Sequence, residues 1–303
     1  MEKTFYSNGK LLITGEYLVL NGVKAFALPT KFGQNLIVSQ GENQEINWKS
    51  FDKDGSIWFE GILTFKSIIN KEAFEDDKAK TTLIEILHEA YLQNPSFITD
   101  SEGYKIKTEL TFPKFWGLGT SSTLINNVAQ WLEINPYTIL KNTFGGSGYD
   151  IANAQNDFPI TFQLQNSAPI VERVDFKPSF TENIYFVYLN KKQSSKASIE
   201  KYLNRQQDIS EVVSEIETIT KLTIETNNFP VFSKAIEKHE AIMSAVLEME
   251  TVKQKYFNDF NGTVKSLGAW GGDFVMVLSE ENPKEYFKQK GFETILTYEE
   301  MIL

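Results

Sequence analysis

Four glycine-marked stretches of this 303-residue chain carry residue types at spacings that could do chemistry. They are Ser7 to Gly22 (SNGKLLITGEYLVLNG), Pro113 to Trp131 (PKFWGLGTSSTLINNVAQW), Gly145 to Ala152 (GGSGYDIA) and Lys265 to Leu278 (KSLGAWGGDFVMVL). The second joins three parts in one piece. An alternating strand pattern arrives, with Ile106, Thr108, Leu110 and Phe112 against Lys105, Lys107, Glu109 and Thr111. A tight turn follows on Gly117 and Gly119. A helix pattern then begins, with Leu124, Ile125, Val128, Trp131 and Leu132 on one face and Thr120, Ser121, Ser122 and Thr123 in its first turn. Glycine lets a backbone come close to a ligand, and N–H groups at a helix start attract anions. Hydroxyls there cap the helix or help coordinate a metal held by phosphates. Taken alone, a serine-capped strand-to-helix turn is the simpler account.

The other stretches carry the same ambiguity singly, because glycine turns are common. Glu16 follows the Gly15 turn and either binds a metal or caps a hairpin. Asp150 follows three glycines in four positions and opens a helix-compatible run. Gly268, Gly271 and Gly272 allow close backbone approach. Lys191, Lys192, Ser194, Ser195 and Lys196 form a basic strand-to-helix loop that could also hold an anion.

The elements that must position these residues are legible in outline. Residues 1–65 are β-rich: Lys10 to Ile13 and Tyr17 to Leu20 are short apolar runs, Asn21-Gly22 signals a hairpin into Ala25 to Leu28, and Asn35 to Ser39, Gln44 to Trp48 and Ile57 to Phe59 suggest further strands. Residues 66–80 are charged and mixed, a connecting segment. Thr82 to Leu92 has a helical face, and Tyr137 to Asn142 is a short helix after Asn135-Pro136. Ile160 to Leu164 and Ile170 to Phe176 are strand patterns. Past a boundary at Pro178-Ser179 come a buried strand, Ile184 to Leu189, three helical segments, strands at Val264 to Leu267 and Phe274 to Leu278 around a glycine turn, a helix at Pro283 to Lys290 and a last strand at Thr294 to Thr297. The class is α+β in two domains, 1–179 and 180–303.

Composition narrows the function. Net charge is −10, which argues against nucleic-acid binding, since that needs a basic face. A phosphate ligand would need local lysines and backbone dipoles to overcome that field. With no cysteine there is no disulfide, thiolate metal site or cysteine nucleophile. The two histidines, His88 and His239, fall in amphipathic helical patterns that put them at the surface or core edge. No apolar run approaches the ~20 residues that span a membrane. The start of the chain lacks a signal-peptide pattern, so a cytoplasmic protein is expected.

Jointly, in this order and spacing, the four stretches resemble the GHMP kinases, the superfamily of galacto-, homoserine, mevalonate and phosphomevalonate kinases. The family phosphate loop, P-x-x-x-G-L-G-S-S, is matched from Pro113 to Ser121 with Thr120 in place of the first serine. Within the superfamily the details lean toward the mevalonate branch, and Gly15-Glu16-Tyr17, the Ser147-Gly148-Tyr149-Asp150 element and Gly271-Gly272-Asp273 resemble the phosphomevalonate kinases in particular. Asn8 stands where a proline is usual, Phe115 and Trp116 add bulk just ahead of the phosphate loop, and Trp270 replaces a glycine; the last two departures would narrow or reshape the site.

The resemblance implies a two-domain fold, with an N-terminal domain like domain 2 of ribosomal protein S5 and a ferredoxin-like C-terminal domain. It implies ATP and Mg²⁺ as cofactors and a mevalonate-like small-molecule acceptor; a homodimer is compatible with it. Gly117, Leu118, Gly119, Thr120, Ser121 and Ser122 would hold phosphates, with Gly271 and Gly272 shaping the floor. Ser121, and Glu16 on its metal reading, would contact the metal. Asp150 would take the acceptor's proton, and Lys10 would pair with it. Two rivals share the fold: a diphosphomevalonate decarboxylase-like enzyme and a binding protein that has lost catalysis.

Overall fold

The computed structural model describes residues 2–193, 199–200, 202–204 and 209–303. The chain divides into two compact units, each assembled from separated stretches. The first comprises Met1–Gly9, Phe32–Lys114 and Leu118–Gln155; the second comprises Lys10–Lys31, Phe115–Gly117 and Asn156–Leu303. The division falls inside the two long strands β1 (Lys3–Thr14) and β2 (Ala25–Gln40).

In the first unit the sheet order is β4 (Ile57–Thr64), β3 (Glu45–Phe51), β5 (Gly103–Leu110), then β2. β3 and β5 are parallel and the other pairs antiparallel. Along β3 burial alternates, so that Ile46, Trp48 and Ser50 point inward, as the period of two requires. Helices α1 (Phe65–Ile69), α2 (Lys78–Gln93), α3 (Ser96–Thr99), α4 (Thr120–Leu132), α5 (Pro136–Thr143) and α6 (Tyr149–Ala154) complete it. Leu87 of α2 and Ile125 and Val128 of α4 share a core with Trp48, Leu63 and Ile106 of the sheet.

In the second unit the first residues of β2 pair with β6 (Ile160–Gln165), and β6 pairs with β7 (Ala168–Arg173). A four-stranded antiparallel sheet has the order β11 (Ile295–Thr297), β8 (Ile184–Tyr188), β10 (Phe274–Leu278), β9 (Thr263–Ser266). All five residues of β10 are buried, which explains its unbroken apolar run. The long helices are α7 (Ser210–Glu225) and α8 (Phe229–Leu247), followed by α9 (Val252–Tyr256), α10 (Lys284–Gln289) and α11 (Tyr298–Met301).

Three expectations are corrected. Leu18–Asn21 is a single 3₁₀ turn closed by left-handed Gly22 (φ 82°), not a strand leading into a hairpin. Leu18 and Val19 are apolar because the turn is buried. Ala25 to Leu28 and Asn35 to Ser39 belong to one continuous strand. Residues 66–80 hold most of α1 and the start of α2, each with a side-chain cap: Thr64 accepts from the Ser67 N–H and Asp77 from the Lys80 N–H. Ser194, Ser195 and Lys196 lie outside the described residues, as does much of the first expected helical segment after residue 191.

Candidate active site

In the first unit the start of α4 is built to present backbone N–H groups. Gly119 is the N-cap in the left-handed region (φ 101°), and no side chain caps the helix, contrary to the serine-cap account. The Ser122 hydroxyl donates back to the Gly119 carbonyl at 2.8 Å, and the Thr123 hydroxyl lies 2.7 Å from Gln34 Oε1. Ser121 is exposed, and its hydroxyl bonds to nothing among the described residues. The first-turn N–H groups therefore carry the helix's positive end uncapped.

A buried polar network holds this helix in place. Asn127 Nδ2 donates to the Gln34 carbonyl at 2.8 Å, and its Oδ1 accepts from the Ser7 hydroxyl at 2.7 Å. Asn126 Nδ2 reaches Ser7 Oγ at 2.8 Å and the Ala154 carbonyl at 3.3 Å. Asn153 Nδ2 donates to the Gly9 carbonyl at 3.3 Å. Buried amides are costly unless bonded. Here the bonds tie β1, β2, α4 and α6 together. The signal was the Asn126-Asn127 pair inside an otherwise apolar helix face; the partners were beyond the reach of pattern reading.

Asp150 stands half-buried in the first turn of α6, after left-handed Gly148 (φ 90°). Its Oδ1 accepts from the Ile151 N–H at 3.1 Å. Burial, with the Asp150 charge adding to it, pushes the nearby Tyr137 hydroxyl up to about 12. A Cβ on Gly148 would sit 2.9 Å from the Tyr137 ring, so this turn needs glycine.

In the second unit Lys10, Gly117 and Asp273 come together. Lys10 Nζ donates to the Gly117 carbonyl at 3.1 Å. Gly117 is left-handed (φ 72°), and a Cβ there would lie 2.6 Å from Asp273 Oδ1. Asp273 is 8% exposed. Its Oδ1 accepts from the Gln193 N–H at 3.1 Å, and its own N–H donates to the Lys191 carbonyl at 2.7 Å. Burial raises its carboxyl above the usual range, opposed by the Gln193 N–H and by the charges of Lys10 and Lys192. A Cβ on Gly272 would meet the Lys191 carbonyl at 2.6 Å, and Gly271 is left-handed (φ 86°).

The aromatic residues take unequal places. Trp116 is buried edge-on to Phe274, with ring centres 5.4 Å apart. The Tyr188 hydroxyl donates to the Phe115 carbonyl at 3.0 Å, while the Phe115 side chain is 55% exposed. Trp270 is buried in one apolar cluster with Tyr17, Leu18 and Met243, and its backbone N–H donates to the Tyr17 hydroxyl at 3.2 Å. The bulk of both tryptophans is thus taken up by core packing.

Glu16 is 1% exposed and ion-paired with Lys265, which is itself fully buried. Lys265 also donates to the Ser266 carbonyl at 2.8 Å. Glu16 Oε2 lies 3.4 Å from His239 Nε2, which accepts from the Gly15 N–H at 3.0 Å. Burial, with Lys265 beside it, holds His239 well below its ordinary value, so the ring is neutral and buried rather than at a surface or core edge. Burial raises Glu16, with Lys265 opposing. Glu240 accepts from the Ser266 N–H and hydroxyl at 3.1 and 2.9 Å, and burial pushes it up to about 7. Lys265 therefore occupies Glu16 as its counter-ion, and a hydrated metal has no exposed oxygen of Glu16 to meet. Among the described residues, no three acidic or histidine side chains are grouped to hold a metal by themselves.

No protein-family model matches the sequence, and no curated protein matches it. Solved structures do match. Mevalonate kinase from Methanococcus jannaschii is 17% identical, with a TM-score of 0.72 over 98% of each chain. Phosphomevalonate kinase from Streptococcus pneumoniae, solved in complex with phosphomevalonate and AMPPNP, is 13% identical, with a TM-score of 0.71 over 97% of this chain and 99% of that one. Galactokinase from Lactococcus lactis, complexed with galactose, is 12% identical, with a TM-score of 0.65 over 95% and 88%. These neighbours are GHMP kinases, and at such identities the likeness is one of fold. No helix among the described residues is long and apolar enough to cross a membrane.

Proposed function

We propose that this chain, which has the GHMP kinase fold, is an ATP- and Mg²⁺-dependent small-molecule kinase acting on a mevalonate-like acceptor, phosphomevalonate or mevalonate. The observation that carries the reading is the uncapped start of α4 behind left-handed Gly119, with the Ser121 hydroxyl exposed beside it. Phosphoryl transfer asks little covalent chemistry of a protein. It asks that phosphates be held, their charge offset and the acceptor aligned.

In this reading the backbone N–H groups of Gly117 to Ser122 hold the phosphates. Ser121 would supply one oxygen to a Mg²⁺ ion brought in with the phosphates. When bound, the ion offsets charge on the transferring group. Lys10 offsets charge that develops at the reacting centre. Asp150 takes the proton of a hydroxyl acceptor. A phosphate acceptor is already anionic and needs no strong base, so the presence of Asp150 keeps a hydroxyl acceptor in view. Gly15-Glu16-Tyr17 and Gly271-Gly272-Asp273 favour the phosphomevalonate side through their resemblance to that branch. Glu16 has no metal role in this reading, because it is buried against Lys265.

The test is ADP release across a panel of mevalonate-pathway acceptors, with ATP binding followed by calorimetry. ATP binding and turnover of one acceptor are expected. No turnover with any acceptor, together with no ATP binding, sinks the reading. For the mechanism, Asp150→Asn should lose about 10²- to 10⁴-fold in kcat on a hydroxyl acceptor while keeping ATP affinity. Full activity in that variant would remove Asp150 from the role of base.

A further inference from the structure

We propose that Asp273 is a positioning residue which, with Lys10, clamps the Gly117 peptide and so fixes the first donor of the phosphate-holding turn. The inference rests on the reading of Gly117 to Ser122 as a phosphate cradle and adds a residue to it.

Three observations meet at Asp273. Its backbone is left-handed (φ 54°), a region uncommon for non-glycine residues, though aspartate enters it more readily than most, and here hydrogen bonds on every side hold it. Those bonds are its N–H to the Lys191 carbonyl at 2.7 Å, its carbonyl accepting from the Leu189 N–H at 2.8 Å, and its Oδ1 accepting from the Gln193 N–H at 3.1 Å. The carboxylate so fixed lies against the α-carbon of Gly117, where any Cβ would collide with it. On the carbonyl of the same residue sits the Lys10 ammonium, at 3.1 Å.

A trans peptide is planar, and its N–H points opposite to its C=O. With the Gly117 carbonyl turned to Lys10, the Leu118 N–H is aimed the other way, and it donates to nothing among the described residues. A carboxylate beside a polyphosphate would repel it, so its charge must serve something other than the ligand. The cations opposing it are Lys10 and Lys192. Interaction is reciprocal, so Asp273 in turn favours the charged form of Lys10. It holds the ammonium on the Gly117 carbonyl and blocks rotation of that peptide.

The deciding variant is Asp273→Asn, whose Oδ1 can still accept from the Gln193 N–H while the charge is gone; Asp273→Ala removes both. Thermal unfolding of each variant reports folding. The Asn variant should fold like the parent, lose about 10- to 100-fold in kcat with KM for ATP changed less than about threefold, and show the high-pH limb of its rate profile moved to lower pH. Parent-like kcat and an unmoved pH profile in Asp273→Asn overturn the proposal, even if Asp273→Ala is unstable. A readout independent of turnover is ¹³C NMR of the lysine side chains, with Lys10 assigned by its loss in Lys10→Arg. Lys10 should titrate at lower pH in Asp273→Asn than in the parent; an unchanged titration overturns the clamp. If the parent turns over no acceptor, the kinase reading fails, and the NMR titration still decides the clamp.

Discussion

The α-carbon of Gly117 and the carboxylate of Asp273 are in such close contact that a methyl group on the first would lie 2.6 Å from Oδ1 of the second. They are far apart in sequence, yet each makes sense only beside the other. Gly117 must be glycine for its left-handed φ and for the absence of a side chain, and Asp273 is held in its buried, left-handed place by two backbone hydrogen bonds and one to its carboxylate.

Gly117→Ala is therefore expected to be costly twice over. An L-residue in the left-handed region loses about 1–2 kcal/mol, and the Asp273 carboxylate must shift as well. Urea unfolding should show a loss of about 2–3 kcal/mol, and calorimetry at least a tenfold loss of ATP affinity. An alanine variant with parent affinity would remove Gly117 from the cradle.

Ser121→Ala makes the opposite demand. The hydroxyl is exposed and has no partner among the described residues, so stability should stay within about 0.5 kcal/mol. If it serves the metal, kcat with Mg²⁺ and ATP should fall by about 10- to 100-fold. Unchanged Mg²⁺ dependence of the rate would assign the metal contact elsewhere.

Lys265→Met tests the buried pair. It leaves Glu16 without its cation at 1% exposure, a change that costs about 3–5 kcal/mol. Adding Glu16→Gln to it should recover most of that loss. Chemical denaturation of the two variants is the measurement, and equal stability of single and double variants would show that the charges are uncoupled.

Glu240 gives a pH signature. Its carboxyl binds a proton more tightly in the folded chain, with the pKa raised from 4.5 to about 7 by burial. Its contribution to stability is therefore full below about pH 4.5 and falls as pH rises to about 7, by up to about 3 kcal/mol. Glu240→Gln keeps an acceptor for Ser266 and removes the titration. Melting temperatures at pH 5 and pH 8 should differ less in the variant than in the parent, with the variant gaining most at pH 8. Identical pH dependence in the two would show that Glu240 titrates normally.

The local grammar of the sequence carried much of this. The strand, glycine turn and helix from Ile106 to Leu132 are legible because alternation, the glycines and the helical stripe lie within one short stretch. Tyr17 to Leu20 misleads for the same reason. An apolar run suggests a strand, and only tertiary burial makes it a 3₁₀ turn. The Ser7 bonds of the asparagine network and the Glu16–Lys265 pair were hidden because their partners are more than a hundred residues away. Glu16 drew attention as a carboxylate after a glycine, and nothing local says that a buried lysine already answers it. Trp270, expected to narrow the site, is buried instead in the apolar cluster that holds Tyr17 and Leu18, a placement no local pattern announces.

The turn after β1 has one more property, which concerns the order in which the chain is made. Thr14, Gly15 and Glu16 are each held by a side chain synthesised much later: Thr220, His239 and Lys265, at separations of 206, 224 and 249 residues. During translation this turn emerges more than two hundred residues ahead of each of its anchors. Closing such long loops is slow relative to local folding. The ordered form of this turn is thus a late product of synthesis, and fragments ending before residue 220 lack all three anchors.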